Sequence, residues 1–556
     1  MHKEKIDGLL KRADQLESDK SNFLNIAQEV ANYFRPIRSD MTSTKIEGDK
    51  EQFSRIQDSF PILAAETLAS IFNGVITNRS VKWFNLSTID QELSENNEVS
   101  KWLTKATEIM WNKLYSPLSN FEQAHQESLK DLVTFGSIGT KIEEGKDFIL
   151  NFLPLHFKNF LIAENDEGKV DTIILKSVME AKQIVSKWDN VGEIHETIRQ
   201  AAEKDPHKKF NLQLHIYPRH ERDKSKIDLL NKAFAGVWID TTNKVAIQEV
   251  GWDVLPIAIG RSEKAIGEVY GTSRAMMALP DARQLNLIWK QYIDSVELVL
   301  RPPLTLNADF EGRINLSAGA LNKAKQNASY AGRAAIEPIL TVGNINGTLD
   351  LVQEKVARLR EIFFLDKLKI MDNPNATATQ VMELRAESFR IMSSIATSMQ
   401  EYLDGLLART FDILFRKSFA VNDLDGGQSS FTLLPDAIFP ELPDKLKEAP
   451  DLKVNFINPI NQAQQITELN SIDVLIQTTL TLAQASPAIM DVINFDNVLR
   501  KKTSILNIDP ELVNDKESVD QMRQERQEQQ QKQQDLEQAQ LQSNAAKNYK
   551  QAGVEL

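Results

Sequence analysis

Seven histidines, His2, His125, His156, His195, His207, His215 and His220, are the side chains of this sequence best suited to proton transfer near neutral pH or to metal ligation. Their spacing forms no His-Glu-x-x-His and no close set of zinc ligands. His215 and His220, in a β-rich stretch with Asp and Arg nearby, read as surface or structural histidines rather than a metal site. Gly136-Ser-Ile-Gly139-Thr-Lys141 resembles a phosphate-cradling loop only superficially, because its lysine does not follow a glycine and its hydroxyl precedes the lysine. Neither a Gly-x-Gly-x-x-Gly nor a Gly-x-Ser-x-Gly is present. With no cysteine, disulfides, thiol catalysis and cysteine-ligated zinc are excluded. The expectation is a protein without a catalytic site, a bound metal or a cofactor.

Charge carries more information. With 65 Lys and Arg against 78 Asp and Glu the net charge is −13, which disfavours tight generic phosphate binding, since that takes many cationic contacts. Residues 301–348 are locally positive, with Arg301, Arg313, Lys323, Lys325 and Arg333 against Asp309, Glu311 and Glu337. Lys367 and Lys369, just before an Asn/Pro turn, read from the residues alone as a solvated helix end complementing the helix dipole. Trp289 and Tyr292, on the same helical face as Leu285 and Ile288, read as packing residues.

The elements that must carry these side chains are most legible between residues 273 and 417. Leu285, Ile288, Trp289, Tyr292, Ile293, Val296 and Val299 share one helical face and predict a helix from Ser273 to Leu300, stopped by Arg301-Pro302-Pro303. Leu304 to Thr348 is Gly-rich, with short apolar stretches such as Ile336–Val342, and predicts a small strand-containing insert. Val352, Val356, Leu359, Ile362 and Phe363 predict a returning helix from near Asp350 to about Ile370. Helix, insert and helix make a stalk with a head, the stalk on the order of 30 Å long. Met371-Asp372-Asn373-Pro374-Asn375 is a turn. A long helix follows to about Lys417, with Leu384, Ile391, Ile395, Tyr402, Leu406 and Ile413 in one stripe and Gly405 as a kink site.

The rest of the chain is ordinary globular material, 42% apolar and 26% charged, and its length suggests about three or four domains. Helical patterns at about 5–35, 59–78 and 98–136 are expected. Alternating strands at Phe148–Leu161, Lys169–Ser177, Asn211–His220, Val237–Asp240, Val245–Gly251 and Pro256–Ile259 complete an α+β domain at the base of the stalk. A strand at Lys453–Ile457 is expected to return to it. Ser59–Asn78 is too polar for a membrane span and reads as a buried helix, and the N-terminus lacks the apolar core of a signal peptide, so export is not expected. Beyond Ile466 the pattern is helical, broken at Pro487 and Pro510. In 521–542, 11 of 22 residues are Gln, which fits either a solvated tail or helices that pair between copies with Met522, Leu536 and Leu541 as sparse contacts.

Four local sequences, in this order and spacing, match one family. Leu68-Ala-Ser-Ile-Phe-Asn-Gly-Val-Ile-Thr-Asn-Arg-Ser-Val-Lys-Trp83-Phe84-Asn-Leu86 looks like an N-terminal helix and Trp-Phe-x-Leu strand, and Leu132-Val-Thr-Phe-Gly136-Ser-Ile-Gly139 like a helix-to-strand junction. Tyr270-Gly271-x-Ser273 with Ala278-Leu-Pro-Asp281-x-x-x-Leu285-Asn286 looks like the start of a first stem helix, and Ala376-Thr-Ala-Thr379-x-Val381-x-x-x-Arg385 like the start of the long helix. Through these, residues 1–500 resemble the portal (head-to-tail connector) proteins of T7-like short-tailed bacteriophages.

The resemblance implies an α+β, predominantly helical fold of portal type. Its expected parts are a wing at 1–272, stem helix 1 at 273–301, a clip at 302–348, stem helix 2 at 349–370, a tunnel loop at 371–376, a long wing helix and returning strand at 377–465, and a C-terminal helical crown with a Gln-rich tail at 466–556. It implies a homo-oligomeric ring, typically a dodecamer, at a capsid vertex of the virion, assembled in the host cytoplasm. Double-stranded DNA would pass through it in packaging and ejection without sequence readout. Expected partners are a packaging terminase, which would supply ATPase and nuclease activity, tail and adaptor proteins, and capsid and scaffolding proteins, with no membrane. Lys367, Lys369, Asn373 and Asn375 would face the DNA channel, and Trp289, Tyr292, Val356 and Phe363 would pack neighbouring stems. The competing reading is a non-viral cytosolic scaffold or coiled-coil adaptor with an α+β domain, which would form dimers or small oligomers.

Overall fold

A computed structural model describes residues 3–42, 51–90, 93, 96–145, 148–223, 226, 228–306, 315, 336–338, 346–366, 378–423, 429–448, 452–457, 459–483, 492–505 and 516–551. The fold is α+β. Helices α1 (Lys3–Phe34) and α2 (Phe60–Ile76) come first, then strand β1 (Phe84–Thr88) and helices α3 (Asn97–Leu114) and α4 (Phe121–Phe135). Strands β2 (Ser137–Glu143), β3 (Asn151–Leu155), β4 (Phe160–Glu164) and β5 (Val170–Glu180) are followed by helices α5 (Ala181–Trp188) and α6 (Glu196–Lys204). Next are β6 (Lys209–Pro218), β7 (Phe234–Asp240), β8 (Val245–Trp252) and β9 (Ile257–Arg261). Helix α7 (Arg274–Leu300), strands β10 (Leu304–Leu306) and β11 (Ile336–Pro338), and helix α8 (Asn346–Ile362) form the stalk region, and the long helix α9 (Ala378–Ser418) follows. The chain ends with β12 (Phe419–Asp423), β13 (Ser429–Leu433), β14 (Leu452–Phe456), α10 (Pro459–Ala483), α11 (Phe495–Ile505) and α12 (Lys516–Gln551).

The larger of two compact units comprises Met1–Trp83, Met110–Leu434 and Phe456–Ile460. Its centre is an antiparallel five-stranded sheet in the order β4-β5-β6-β7-β8. Alternation along β5 serves two layers: Ile173 and Leu175 join Ile184, Trp188 and Ile198 of α5 and α6 in the main core, while Ile174 packs with Ala13 and Leu16 of α1. Each such aliphatic side chain contributes on the order of 2 kcal/mol by leaving water. Helices α5 and α6 fall in segments that show no extended apolar stripe; a capping box at Glu180 and Gln183 starts one, and the His195 side chain accepts from Thr197 N to start the other.

Helix α1 carries Lys20 into this unit fully buried. Its ammonium donates to the carbonyls of Phe157 and Phe160 and lies over the rings of Phe157, Phe160 and Tyr270, at 4.0, 4.6 and 4.9 Å from their centroids. The Tyr270 hydroxyl accepts from Ile162 N of β4. Side chains thus occupy part of the edge of β4 where another strand would pair.

A second sheet, in the order β3-β2-β9, lies against α9. Gly260 of β9 makes the approach possible, since a Cβ there would stand 2.7 Å from Cβ of Tyr402. The stripe expected along α9 is realised at Tyr402, Leu406 and Ile413, all fully buried. Gly405 serves packing, with Ala258 3.7 Å from where its Cβ would be.

Two patterns resolve differently from expectation. The single helical pattern at 98–136 is two helices, because Pro117 and Asn120, the latter at φ 59°, break it between α3 and α4. The returning stalk helix starts at Asn346 and is interrupted after Ile362, where Phe363 and Phe364 form a turn and Phe364 takes φ 56°; helical backbone resumes at Leu365–Asp366, and 367–370 lie outside the described residues.

The second unit comprises Phe84–Ile109, Pro435–Asn455 and Asn461–Leu556, so residues 84–109 group with C-terminal segments. The strand expected at Lys453–Ile457 exists as β14, and it pairs with β1. Trp102 anchors the unit by packing at a tilt against Phe439, centroids 6.0 Å apart, and donating its indole N–H to the Pro440 carbonyl at 3.0 Å. Helix α12 is exposed along 520–542 and has no apolar stripe. Among the described residues no helix is long and apolar enough to cross a membrane; α2 instead buries Ala64, Ala65, Leu68 and Phe72.

Candidate functional site

The stalk begins where two glycines meet. Gly136 ends α4 in the left-handed region, φ 74°, and a Cβ on it would stand 2.3 Å from the Gly271 carbonyl oxygen. A Cβ on Gly271 would stand 2.5 Å from the Gly136 carbonyl oxygen. Only glycine fits at either position. Around this backbone contact, Gly271 N donates to Ser137 Oγ at 2.9 Å, and Ser273 Oγ donates to Thr134 O at 2.7 Å while accepting from Met276 N to cap α7. Two of the four motif segments are thus joined at the root of the first stalk helix.

Helix α7 buries Ala275, Ala278, Leu279, Asp281, Ala282 and Leu285 along its first three turns. Asp281 is the polar exception on this face. It accepts from Lys355 Nζ at 3.1 Å and lies 3.5 Å from Arg358 Nε, so two cations of α8 clamp α7. The pairing runs antiparallel, because β10 and β11, which follow α7 and precede α8, also pair antiparallel from Leu304↔Pro338 to Leu306↔Ile336. This short ladder closes the base of the insert.

Beyond Leu285 the side chains of α7 turn outward. Leu287, Ile293, Leu298, Val299 and Leu300 are exposed, as are Leu349 and Leu351 on α8. Trp289 is half-buried; its indole N–H donates to Asp58 Oδ2 at 2.5 Å, and Tyr292 meets it edge-on with centroids 5.7 Å apart. Asn286 accepts from Gln57 N and donates to Arg55 O, so residues 55–58 brace α7 from one side. Val356 lines an open groove of about 330 Å³ with Val352, Gln353, Ala357, Arg360 and Asp366. Phe363 is fully buried within its own protomer, its ring 5.7 Å from that of Phe34. Burial against α1 leaves this ring no surface for a neighbouring copy. Lys367, Lys369, Asn373 and Asn375 lie outside the described residues.

The sequence pattern missed Asp281 as a clamp, although a carboxylate on a stripe of Ala278, Ala282 and Leu285 is a signal that a cation must face it. Asp58, Phe34 and Lys355 carried no such signal, since their partners are far away in sequence.

Titration shifts point to cores rather than to a reacting centre. Burial alone lowers His125 to about 3 and His215 to about 4, and burial is the largest cause raising Tyr402 and Tyr115 to about 12. His215 Nε2 is satisfied by Gln213 Oε1 at 2.9 Å. Among the described residues no three His, Asp or Glu side chains are arranged to hold a metal ion.

Residues 7–421 and 428–513 match the family described as bacteriophage head to tail connecting protein. The chain is 25% identical over 514 residues to a probable portal protein of Bordetella phage BPP-1, covering 91% of this chain and 88% of that one. It is 23% identical over 529 residues to the portal protein of Salmonella phage epsilon15, covering 93% and 90%. A chain from the virion of a native gene transfer agent particle superposes with a TM-score of 0.32 at 10% identity, over 66% of this chain and 82% of that one.

Proposed function

Because the chain belongs to the bacteriophage head to tail connecting protein family, we propose that its copies close into a ring, a dodecamer on the family resemblance, that conducts double-stranded DNA at a capsid vertex. The observation that carries this is the unpartnered apolar surface of the stalk. Leu287, Ile293, Leu298 and Val299 on α7 and the Val356 groove on α8 are contacts one protomer leaves open, and repeated head-to-tail pairing of two different faces closes a ring. Trp289 and Tyr292 join that interface by their exposed faces. Lys367, Lys369, Asn373 and Asn375 then line the narrowest part of the channel, where contact is to phosphates and not to base edges. The insert at 302–348 docks the packaging terminase and later the tail, residues 1–272 and 377–465 form the wing that meets capsid and scaffolding proteins, and 466–556 form the crown. The role is that of a structural connector within the virion.

Negative-stain images and native mass of the purified chain test this. Closed rings are expected without any other phage protein; a chain that stays monomeric at high concentration would overturn the proposal.

A further inference from the structure

Resting on the channel reading above, we propose that Arg261 is a positioning residue that fixes α9 to the sheets it lies on and so sets where its first residue, Ala378, stands. Arg261 is the last residue of β9, and its side chain is 5% exposed. Its Nη2 lies 2.8 Å from both carboxylate oxygens of Glu401 on α9, and its Nε donates to one of them at 3.1 Å. It also donates to the Glu164 carboxylate at the end of β4, and to the carbonyls of Gly168 at 3.2 Å and Val269 at 3.3 Å. Lys264 donates to the same Glu164. Two cations and two carboxylates from β4, β9, the following loop and α9 therefore form one charge-balanced knot. Only a planar guanidinium can fork onto Glu401 while still reaching Glu164.

Next to Glu401, Tyr402 packs on Gly260 and its hydroxyl lies 2.9 Å from Thr140 Oγ1, so this turn of α9 is its seat on the sheet. Ala378, the first residue of α9, lies 23 residues earlier, about 35 Å along a helix. Over that lever a tilt of about 5° at the seat displaces the far end by about 3 Å.

Hydrogen exchange on assembled rings and DNA retention by heated particles, for Glu401→Gln and Glu164→Gln, separate the possibilities. Glu401→Gln takes the charge and one acceptor oxygen out of the tie to α9 and leaves the sheet-side contacts in place. It should form rings normally, speed amide exchange over 378–400 by about tenfold, and reduce retained DNA. Glu164→Gln, which relaxes Arg261 on the sheet side, should leave exchange in α9 within about twofold of the parent. Unchanged exchange in Glu401→Gln, or equal acceleration in both variants, would overturn the positioning role. Faster exchange with full DNA retention would instead overturn the channel reading on which the role rests, while the anchor itself stands.

Discussion

His125 is a neutral imidazole sealed between Phe121 and Tyr402, with centroids 5.2 and 5.9 Å away, and its Nε2 lies 2.9 Å from Thr77 Oγ1. Burial holds its pKa at about 3 against an ordinary value of 6.5. As pH falls, the unfolded chain takes up this proton before the folded one. His125's contribution is therefore complete above pH 6.5 and is lost by about 1.4 kcal/mol per pH unit down to about pH 3. His125→Gln, which keeps a polar group for Thr77 and cannot titrate here, should flatten the fall of the unfolding free energy with decreasing pH between those values, measured by denaturant titration; an unchanged slope would assign the acid sensitivity elsewhere. Lys20 is the opposite sort of burial, a cation kept by carbonyls and ring faces although desolvation, with Lys176 adding to it and Glu17 opposing, pulls its pKa well down. Neither residue was legible as a core group, because composition ranks His and Lys as surface residues and only the aromatic neighbours, distant in sequence, say otherwise.

At the scale of elements, the stalk was the legible part. Ser273 and Arg301-Pro302-Pro303 bound α7 as local chemistry dictates, and the observed helix Arg274–Leu300 departs from the expected span by one residue. The end of α8 was not legible. Val352, Val356, Leu359 and Ile362 continue a stripe that periodicity carries through Phe363 without a break, but Phe363 leaves the helix to reach Phe34, and this tertiary contact is invisible to a local pattern. Helices α5 and α6 were missed because each is too short for periodicity to stand out. The β10–β11 ladder yields a direct test of the insert as a separable element. Replacing residues 307–335 with a short Gly/Ser linker, leaving both strands, should preserve ring assembly and abolish DNA packaging, scored by protected DNA in purified particles. Packaging at the parental level would remove the docking role from this segment.

For the whole molecule, the formal charge of −13 per copy means that repeated copies add to a strongly negative assembly, so any attraction for DNA must be local. Reversing Lys367 and Lys369 to Glu should lower the amount of DNA retained in particles, most at low ionic strength, while ring formation is unchanged. Retention equal to the parent at every salt concentration would leave the two lysines as a solvated helix end. The three-residue ladder at the neck of the insert has a further, evolutionary consequence. It brings the two ends of the insert together whatever lies between them, so lengthening that segment adds only the slowly growing entropy of a longer closed loop, about 0.6 kcal/mol per doubling. Residues 307–335 can therefore be exchanged or expanded almost independently of the helices beneath, and a lineage can change this segment without re-solving how the stalk folds.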